Sequence, residues 1–286
     1  MNKTPQAIDF KHVALITNQH KELAASTQDR VLAWLTNKNI GVSQIAFNAE
    51  EFTDPLPDLV IAIGGDGTML HASRFAAPYN IPLVGINRGS LGFLADISPD
   101  TLEQDLESIF SGHGSEEQRL ILHARLHKEN KLVSEGTALN DVVLKHDNSG
   151  RMMHFNTQVN DAHLNTHYGD GIIIATPTGS TAYALSCGGP ILSPALPVIS
   201  LTPICPHTLS DRPIVVPSSS SIELTLHKRT EVAHVSLDGF DLGTLENNMR
   251  LVINASEHGL RLIHPPHYNY YAVLRSKLHW GQQQSR

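Results

Sequence analysis

Residues 58–70, Asp-Leu-Val-Ile-Ala-Ile-Gly-Gly-Asp-Gly-Thr-Met-Leu, constrain this chain more than any other stretch. Leu59 to Ile63 form an unbroken apolar run, the pattern of a strand buried on both faces. Such strands occur in parallel sheets covered by helices. The run ends abruptly in Gly64-Gly65-Asp66-Gly67, and a helix-compatible stretch, 68–75, follows at once. Three glycines in four positions let the backbone turn sharply and approach a ligand closely. A strand-to-helix turn also aims N–H groups and the positive end of a helix at whatever lies above it, most often phosphate. The one side chain in that bare loop is the carboxylate of Asp66, which repels phosphate unless it handles a proton or a cation. The pairing points to phosphoryl transfer. Asp66-Gly67 also reads as a hairpin turn. A hairpin needs a second alternating strand, whereas the following residues have near-helical spacing. Neither G-x-x-x-x-G-K-[ST] nor G-x-G-x-x-G occurs in the chain.

The first part of the chain alternates strand and helix signals. Val13-Ala14-Leu15-Ile16-Thr17 reads as a strand, and 21–37 as an amphipathic helix with Ala24, Val31, Leu32 and Leu35 inward. A third strand covers 82–87, and a helix over 101–111 is halted by Gly112 and Gly114. This order predicts a Rossmann-like parallel sheet with right-handed crossovers, whose ligands bind at the carboxyl ends of the strands. From about residue 118 short alternating runs take over, at 120–126, 136–144, 156–159, 171–175, 222–226, 232–237 and 250–253. They predict an all-β, sandwich-like module. Helical spacing returns over 268–280. The expected division is an α/β domain over 1–117, a β-sandwich domain over 118–262, and a segment over 263–286 that returns to the first domain.

The chain's 286 residues suffice for two cores, and 41% hydrophobic and 17% charged residues fit a soluble globular protein. A formal net charge of −7 argues against a nucleic-acid surface or a polybasic membrane patch. Cys187 and Cys205 form no C-x-x-C pair, so neither a disulfide framework nor a thiolate zinc site is expected. No apolar run approaches the ~20 residues of a membrane span, and the N-terminus has no signal-peptide core. A cytoplasmic protein is the expectation. The 17 histidines invite a metal reading. His123 and His127 lack an H-E-x-x-H context or a third ligand, and on a strand they stand about 13 Å apart, so they read as solvated surface.

Three further segments break local rules, and rule-breaking marks sites. Asn140-Asp141 interrupts the apolar run 137–144 although both are poor strand residues. Adjacent amide and carboxylate groups suit ribose hydroxyls, while a bulge or tight turn is the plainer reading. Asp170-Gly171 leads a buried strand into Thr176-Pro177-Thr178-Gly179-Ser180-Thr181-Ala182-Tyr183. N-capping by Ser180 or Thr181 would use one hydroxyl, whereas four within six residues suit a polar nucleotide pocket. Ser236-Leu237-Asp238-Gly239-Phe240 reads as a hairpin turn, with membership of the site as the second reading.

These motifs together resemble those of NAD kinases, most of all the bacterial branch. In order they are Gly64-Gly65-Asp66-Gly67-Thr68, Asn87-Arg88-Gly89-Ser90-Leu91-Gly92-Phe93-Leu94, Asn140-Asp141, Asp170-Gly171 and 176–183. The resemblance runs from about residue 12 to Leu274-Arg275-Ser276-Lys277-Leu278. Diacylglycerol, sphingoid and phosphofructo-kinases share the glycine loop; its combination with 176–183 is specific. The resemblance implies phosphorylation of the adenosine ribose 2′-hydroxyl of NAD, with ATP as donor, giving NADP. It makes Asp66 the general base, with Gly64, Gly65, Gly67 and Thr68 forming the phosphate loop. It assigns Asn140, Asp141, Arg151, Asp170, Thr181, Ala182, Tyr183 and Ser186 to NAD or nucleotide binding. It also implies Mg²⁺ delivered with ATP rather than a metal site of the protein, and a homodimer or homotetramer. Asp141 stands where many relatives have Glu, and Phe240 where relatives often have Gln after Asp-Gly, so that last polar contact is not carried over. The alternatives are a lipid kinase sharing the loop, although no basic amphipathic helix is evident, and a non-catalytic NAD-binding sensor.

Overall fold

A computed structural model describes residues 9–17, 22–46, 52, 55–89, 91–146, 152–208, 210–228, 230 and 232–281. The chain forms β1 (His12–Thr17), α1 (Glu22–Asn37), β2 (Gly41–Ile45), β3 (Leu59–Ile63), α2 (Asp66–Ala76), β4 (Leu83–Ile86), α3 (Leu102–Phe110) and β5 (Ser115–Arg119). A long β-rich stretch follows, with β6 (Leu122–Lys128), β7 (Lys131–Ala138), β8 (Asp141–Lys145), β9 (Met153–Val159), β10 (Ala162–Gly169) and β11 (Gly171–Ala175). It continues through α4 (Tyr183–Ser186), β12 (Val198–Ile204), β13 (Ile214–Pro217), β14 (Ile222–Leu226), β15 (Val232–Leu237), β16 (Phe240–Glu246) and β17 (Met249–Ala255). The chain closes with β18 (Leu260–His264) and α5 (Tyr270–Leu278). These elements form two compact units, Met1–Gln118 with Leu260–Arg286, and Arg119–Gly259.

The first unit is a six-stranded sheet in the order β2-β1-β3-β4-β18-β5. Its pairs from β2 through β18 are parallel. Every residue of β3 and β4 is buried, as the apolar run predicts for strands covered on both faces. Val31 and Leu35 of α1 and Leu102, Leu106 and Ile109 of α3 close one core over Leu15, Ile61 and Ile86. The chain leaves β1 toward β2 and then crosses back to β3. The gap between β1 and β3 is therefore the topological switch point, where open α/β sheets bind ligands. The glycine loop that follows β3 opens there. β2, β5 and β18 were not apparent in the sequence, and Leu260–His264 pairs with β4 here rather than with the β-rich strands.

The second unit is a sandwich of two six-stranded antiparallel sheets, β10-β9-β14-β17-β6-β7 and β13-β12-β11-β8-β15-β16. Alternating burial along β6, β9, β14, β15 and β17 turns one face of each sheet inward. Phe155, Leu224 and Leu251 there meet Val142, Ile174 and Leu201 of the other sheet. β11 is buried on both faces. Its outer residue Ile173, with Val143 and Ile204, packs against Ala184 of α4, so the short helix is seated on the outside of the central strands. Among the described residues no helix is long and apolar enough to cross a membrane.

Candidate active site

In the first unit, Gly64 is the last residue of the sheet ladder, its N–H donating to the Ile86 carbonyl at 2.9 Å. Gly65 is extended, with φ −92° and ψ −172°, and α2 begins at Asp66, two residues earlier than the pattern predicts. The hairpin reading of Asp66-Gly67 is excluded. The Gly65 carbonyl accepts from the amides of Thr68 and Met69, at 2.9 and 3.2 Å. The amides of Asp66 and Gly67 have no hydrogen-bond partner among the described residues, the ordinary state of a helix's first turn. Donors left open in this way are what an anion takes up. Thr68 is buried, and its side chain fills the space beside Gly64 where a Cβ would otherwise sit. Its contribution is packing rather than an open hydroxyl.

The Asp66 carboxylate is held from outside its own helix. Its Oδ1 accepts from Leu94 N–H at 3.0 Å and its Oδ2 from Phe93 N–H at 3.2 Å. Both donors lie on the loop after β4. A Cβ at Gly92 would meet Asp66 Oδ1 and push the carboxylate out of this position. The spacing of residues 87–94 belongs to the resemblance, yet the reason for it, two main-chain donors aimed at one carboxylate, was not legible in the sequence.

In the second unit, Asn140 occupies the corner where the chain passes from β7 of one sheet to β8 of the other. The interruption is thus a crossover rather than a bulge within one strand. Asp238 secures it. Its carboxylate accepts from the amides of Leu139, Asn140 and Asp141, at 2.8, 2.8 and 3.0 Å. In return Asp238 N–H donates to the Asp141 carbonyl at 3.0 Å. Asp238 and Gly239 are also a two-residue hairpin turn with φ of 52° and 83°. The hairpin reading holds, and the carboxylate clamp lies 97 to 99 residues away in sequence from the amides it accepts from.

Residues 176–183 fold as a tight turn, Gly179–Thr181, ahead of α4. Three of the four hydroxyls expected in a pocket bond within the chain, Thr181 Oγ1 donating to the Thr178 carbonyl at 3.3 Å. Thr176 Oγ1 donates to the Leu139 carbonyl at 2.5 Å and accepts from Gly179 N–H at 3.0 Å. Ser180 Oγ donates to Pro177 and accepts from Leu192 N–H. Neither caps a helix. Thr181 and Ala182 are half-buried, and Tyr183 (42% exposed) and Ser186 are open to solvent. Asp170 is exposed at the turn between β10 and β11, and its proximity pushes the Cys205 thiol up. Arg151 lies outside the described residues. A cleft of about 350 Å³ lined by Leu164, His167 and Asp211, among others, shares no residue with the predicted set.

Burial first, and then the neighbouring charge of Asp238, push the Asp141 carboxyl from the ordinary 3.8 to about 7. The folded chain thus holds this proton more tightly than the unfolded chain. Its contribution to stability is full below the unfolded value and is lost as pH rises through about 7. Asp141→Asn cannot titrate, so its melting temperature is expected to gain on the parent protein as pH rises from about 4 to about 7. Parallel melting curves for the two proteins across that window would contradict the burial assigned to Asp141.

Residues 43–114 match the ATP-NAD kinase N-terminal domain and residues 139–265 the ATP-NAD kinase C-terminal domain. The chain is 48% identical over 285 residues to the NAD kinase of Nitrosospira multiformis, covering 95% of this chain and 96% of the relative. It is 39% identical over 286 residues to that of Pectobacterium atrosepticum, covering 96% and 98%. Yeast NADH kinase complexed with NADH shares the fold, with TM-score 0.84, 22% identity, and 99% and 94% of the two chains covered. An Archaeoglobus fulgidus NAD kinase in complex with ATP does so with TM-score 0.71, 24% identity, and 94% and 97% covered. With both domain models matched and full-length relatives this similar, the chain belongs to the ATP-NAD kinase family.

Proposed function

We propose that this chain phosphorylates NAD with ATP at the 2′-hydroxyl of the adenosine ribose, giving NADP, with Asp66 as general base. The observation that supports the reading most is the Asp66 carboxylate, oriented by two main-chain donors at the head of a helix whose first amides are open. In phosphoryl transfer a protein chiefly positions the reactants and stabilises charge. Asp66 accepts the 2′-hydroxyl proton as that oxygen bonds to the γ-phosphorus. The bond from this phosphorus to the β–γ bridging oxygen breaks, and ADP leaves. The amides of Gly65, Asp66 and Gly67 take phosphate oxygens.

The second unit contributes recognition. Asn140 offers both a donor and an acceptor. Asp141, close to its midpoint at neutral pH, can donate to or accept from a hydroxyl. Thr181, Ala182, Tyr183 and Ser186 supply surface for the nucleoside, and Asp170 and Arg151 add contacts. Among the described residues no group of three or more His, Cys, Asp or Glu side chains could hold a metal ion. The metal we propose is Mg²⁺ carried by the ATP substrate, which is how this ion usually meets phosphate chemistry. A cytoplasmic homodimer or homotetramer is the assembly we propose.

Family membership supports neither a lipid kinase nor a non-catalytic sensor. A coupled assay of NADP formation tests the reading, with ATP and then polyphosphate as donor, and with NAD, NADH or diacylglycerol as acceptor. NADP is expected from ATP and NAD; label appearing only in the lipid would overturn the assignment.

A further inference from the structure

The orientation of Asp66 depends on the loop that carries Phe93 and Leu94, which raises the question of what fixes that loop. One end is tied to the sheet, where Asn87 N–H donates to the Ile97 carbonyl at 2.9 Å and Ile97 N–H to the Gly85 carbonyl at 3.1 Å. Within the loop, Gly92 N–H donates to the Ala95 carbonyl at 3.0 Å. A further tie is a side chain. Asp96, two residues beyond Leu94 and buried, places Oδ2 2.7 Å from Nδ1 of His264 at the end of β18.

His264 is almost fully enclosed, at 1% exposure. Its ring stacks on Tyr268 with centroids 3.8 Å apart and planes 5° from parallel. Its Nε2 is 3.6 Å from Glu117 Oε2 on β5. Burying a carboxylate against an imidazole adds little net stability over apolar packing, and the best-attested use of such pairs is to specify geometry. Here the geometry specified is that of the chain two residues from a hydrogen-bond donor to Asp66.

We propose that Asp96 and His264 are positioning residues for phosphoryl transfer. Together they lock the loop so that the Phe93 and Leu94 amides aim the Asp66 carboxylate. The proposal rests on the general-base reading of Asp66, and it gives β18 a role beyond completing the sheet.

The test compares His264→Leu with His264→Asn, whose side-chain amide can replace the Nδ1–H donor, by steady-state kinetics on folded protein. His264→Leu is expected to lower kcat about tenfold, in line with the cost of misplacing a reacting group. The KM values for NAD and ATP stay near the parent's. His264→Asn recovers most of the lost turnover. Because His264 acts through Asp66, Asp66→Asn combined with His264→Leu turns over no more slowly than Asp66→Asn. Parent-level kcat in His264→Leu, a further full loss in the double variant, or kcat and KM moving together would each overturn the proposal. If His264→Leu gives no cooperative melt, Asp96→Ala, which removes the acceptor facing His264 Nδ1, takes its place with the same criteria. Should Asp66→Asn itself keep its turnover, the base reading falls and the positioning role with it. Should Asp66→Asn lose turnover while His264→Leu does not, only the positioning role falls.

Discussion

Asp66→Asn is expected to lower kcat by ~10²–10⁴-fold, the usual worth of a general base, while NAD and ATP still bind. An amide accepts no proton near neutral pH, so the attacking hydroxyl must lose its proton to water. The substitution leaves the volume of the side chain unchanged. It also keeps one of the two hydrogen bonds, since an amide oxygen can still accept from Leu94 N–H, now at 3.0 Å. The amide nitrogen then meets the Phe93 N–H, which sits at 3.2 Å, as donor against donor. That conflict is worth about one hydrogen bond, roughly 1 kcal/mol, enough to loosen the loop but small beside the catalytic loss. Asp66→Ala, which removes both the base and the donor conflict, is expected to fall equally far. Steady-state NADP formation across the three proteins decides the matter. A kcat for Asp66→Asn within about tenfold of the parent's is too small a loss for a general base and would remove Asp66 from the chemistry.

What the sequence made legible is what local spacing encodes. An apolar run of five residues followed by three glycines and a carboxylate carries its own geometry, and β3, the loop and α2 follow from it. Asn140-Asp141 stood out for the same reason, as polar residues in an apolar run. The reading failed wherever a partner was distant. Asp238 looks like an ordinary Asp-Gly turn, and is one; its grip on three amides nearly a hundred residues earlier leaves no trace in spacing. Thr176 and Ser180 looked like ligand hydroxyls because their real partners are the main-chain groups of Leu139, Gly179, Pro177 and Leu192. β18 is buried at every position but Arg261, and burial alone does not say which sheet a strand joins.

Gly179→Ala is expected to be the most damaging substitution to the second unit. A Cβ at Gly179 would occupy the space of the Asn140 carbonyl oxygen, carbon and Cα. These are backbone atoms, which cannot swing aside as a side-chain tip can. Three hydrogen bonds converge at that contact, linking Thr176 to Leu139, to Asn140 and to Gly179. Overpacking a tight site costs about 1–3 kcal/mol, and each buried donor or acceptor left unpaired adds about 1–3 kcal/mol. A loss of roughly 3–5 kcal/mol, read as a fall in melting temperature of about 6–20 °C for a chain of this length, is the expected result. NAD affinity falls with it, because the displaced atoms belong to the residue proposed to hold the nucleoside. Gly67→Ala supplies the contrast. Its Cβ meets open space and its φ is helical, so its melting temperature stays level or rises slightly as the unfolded chain loses freedom. Equal melting temperatures for Gly179→Ala and Gly67→Ala would mean that the Asn140 corner is not packed as the contact with Gly179 requires.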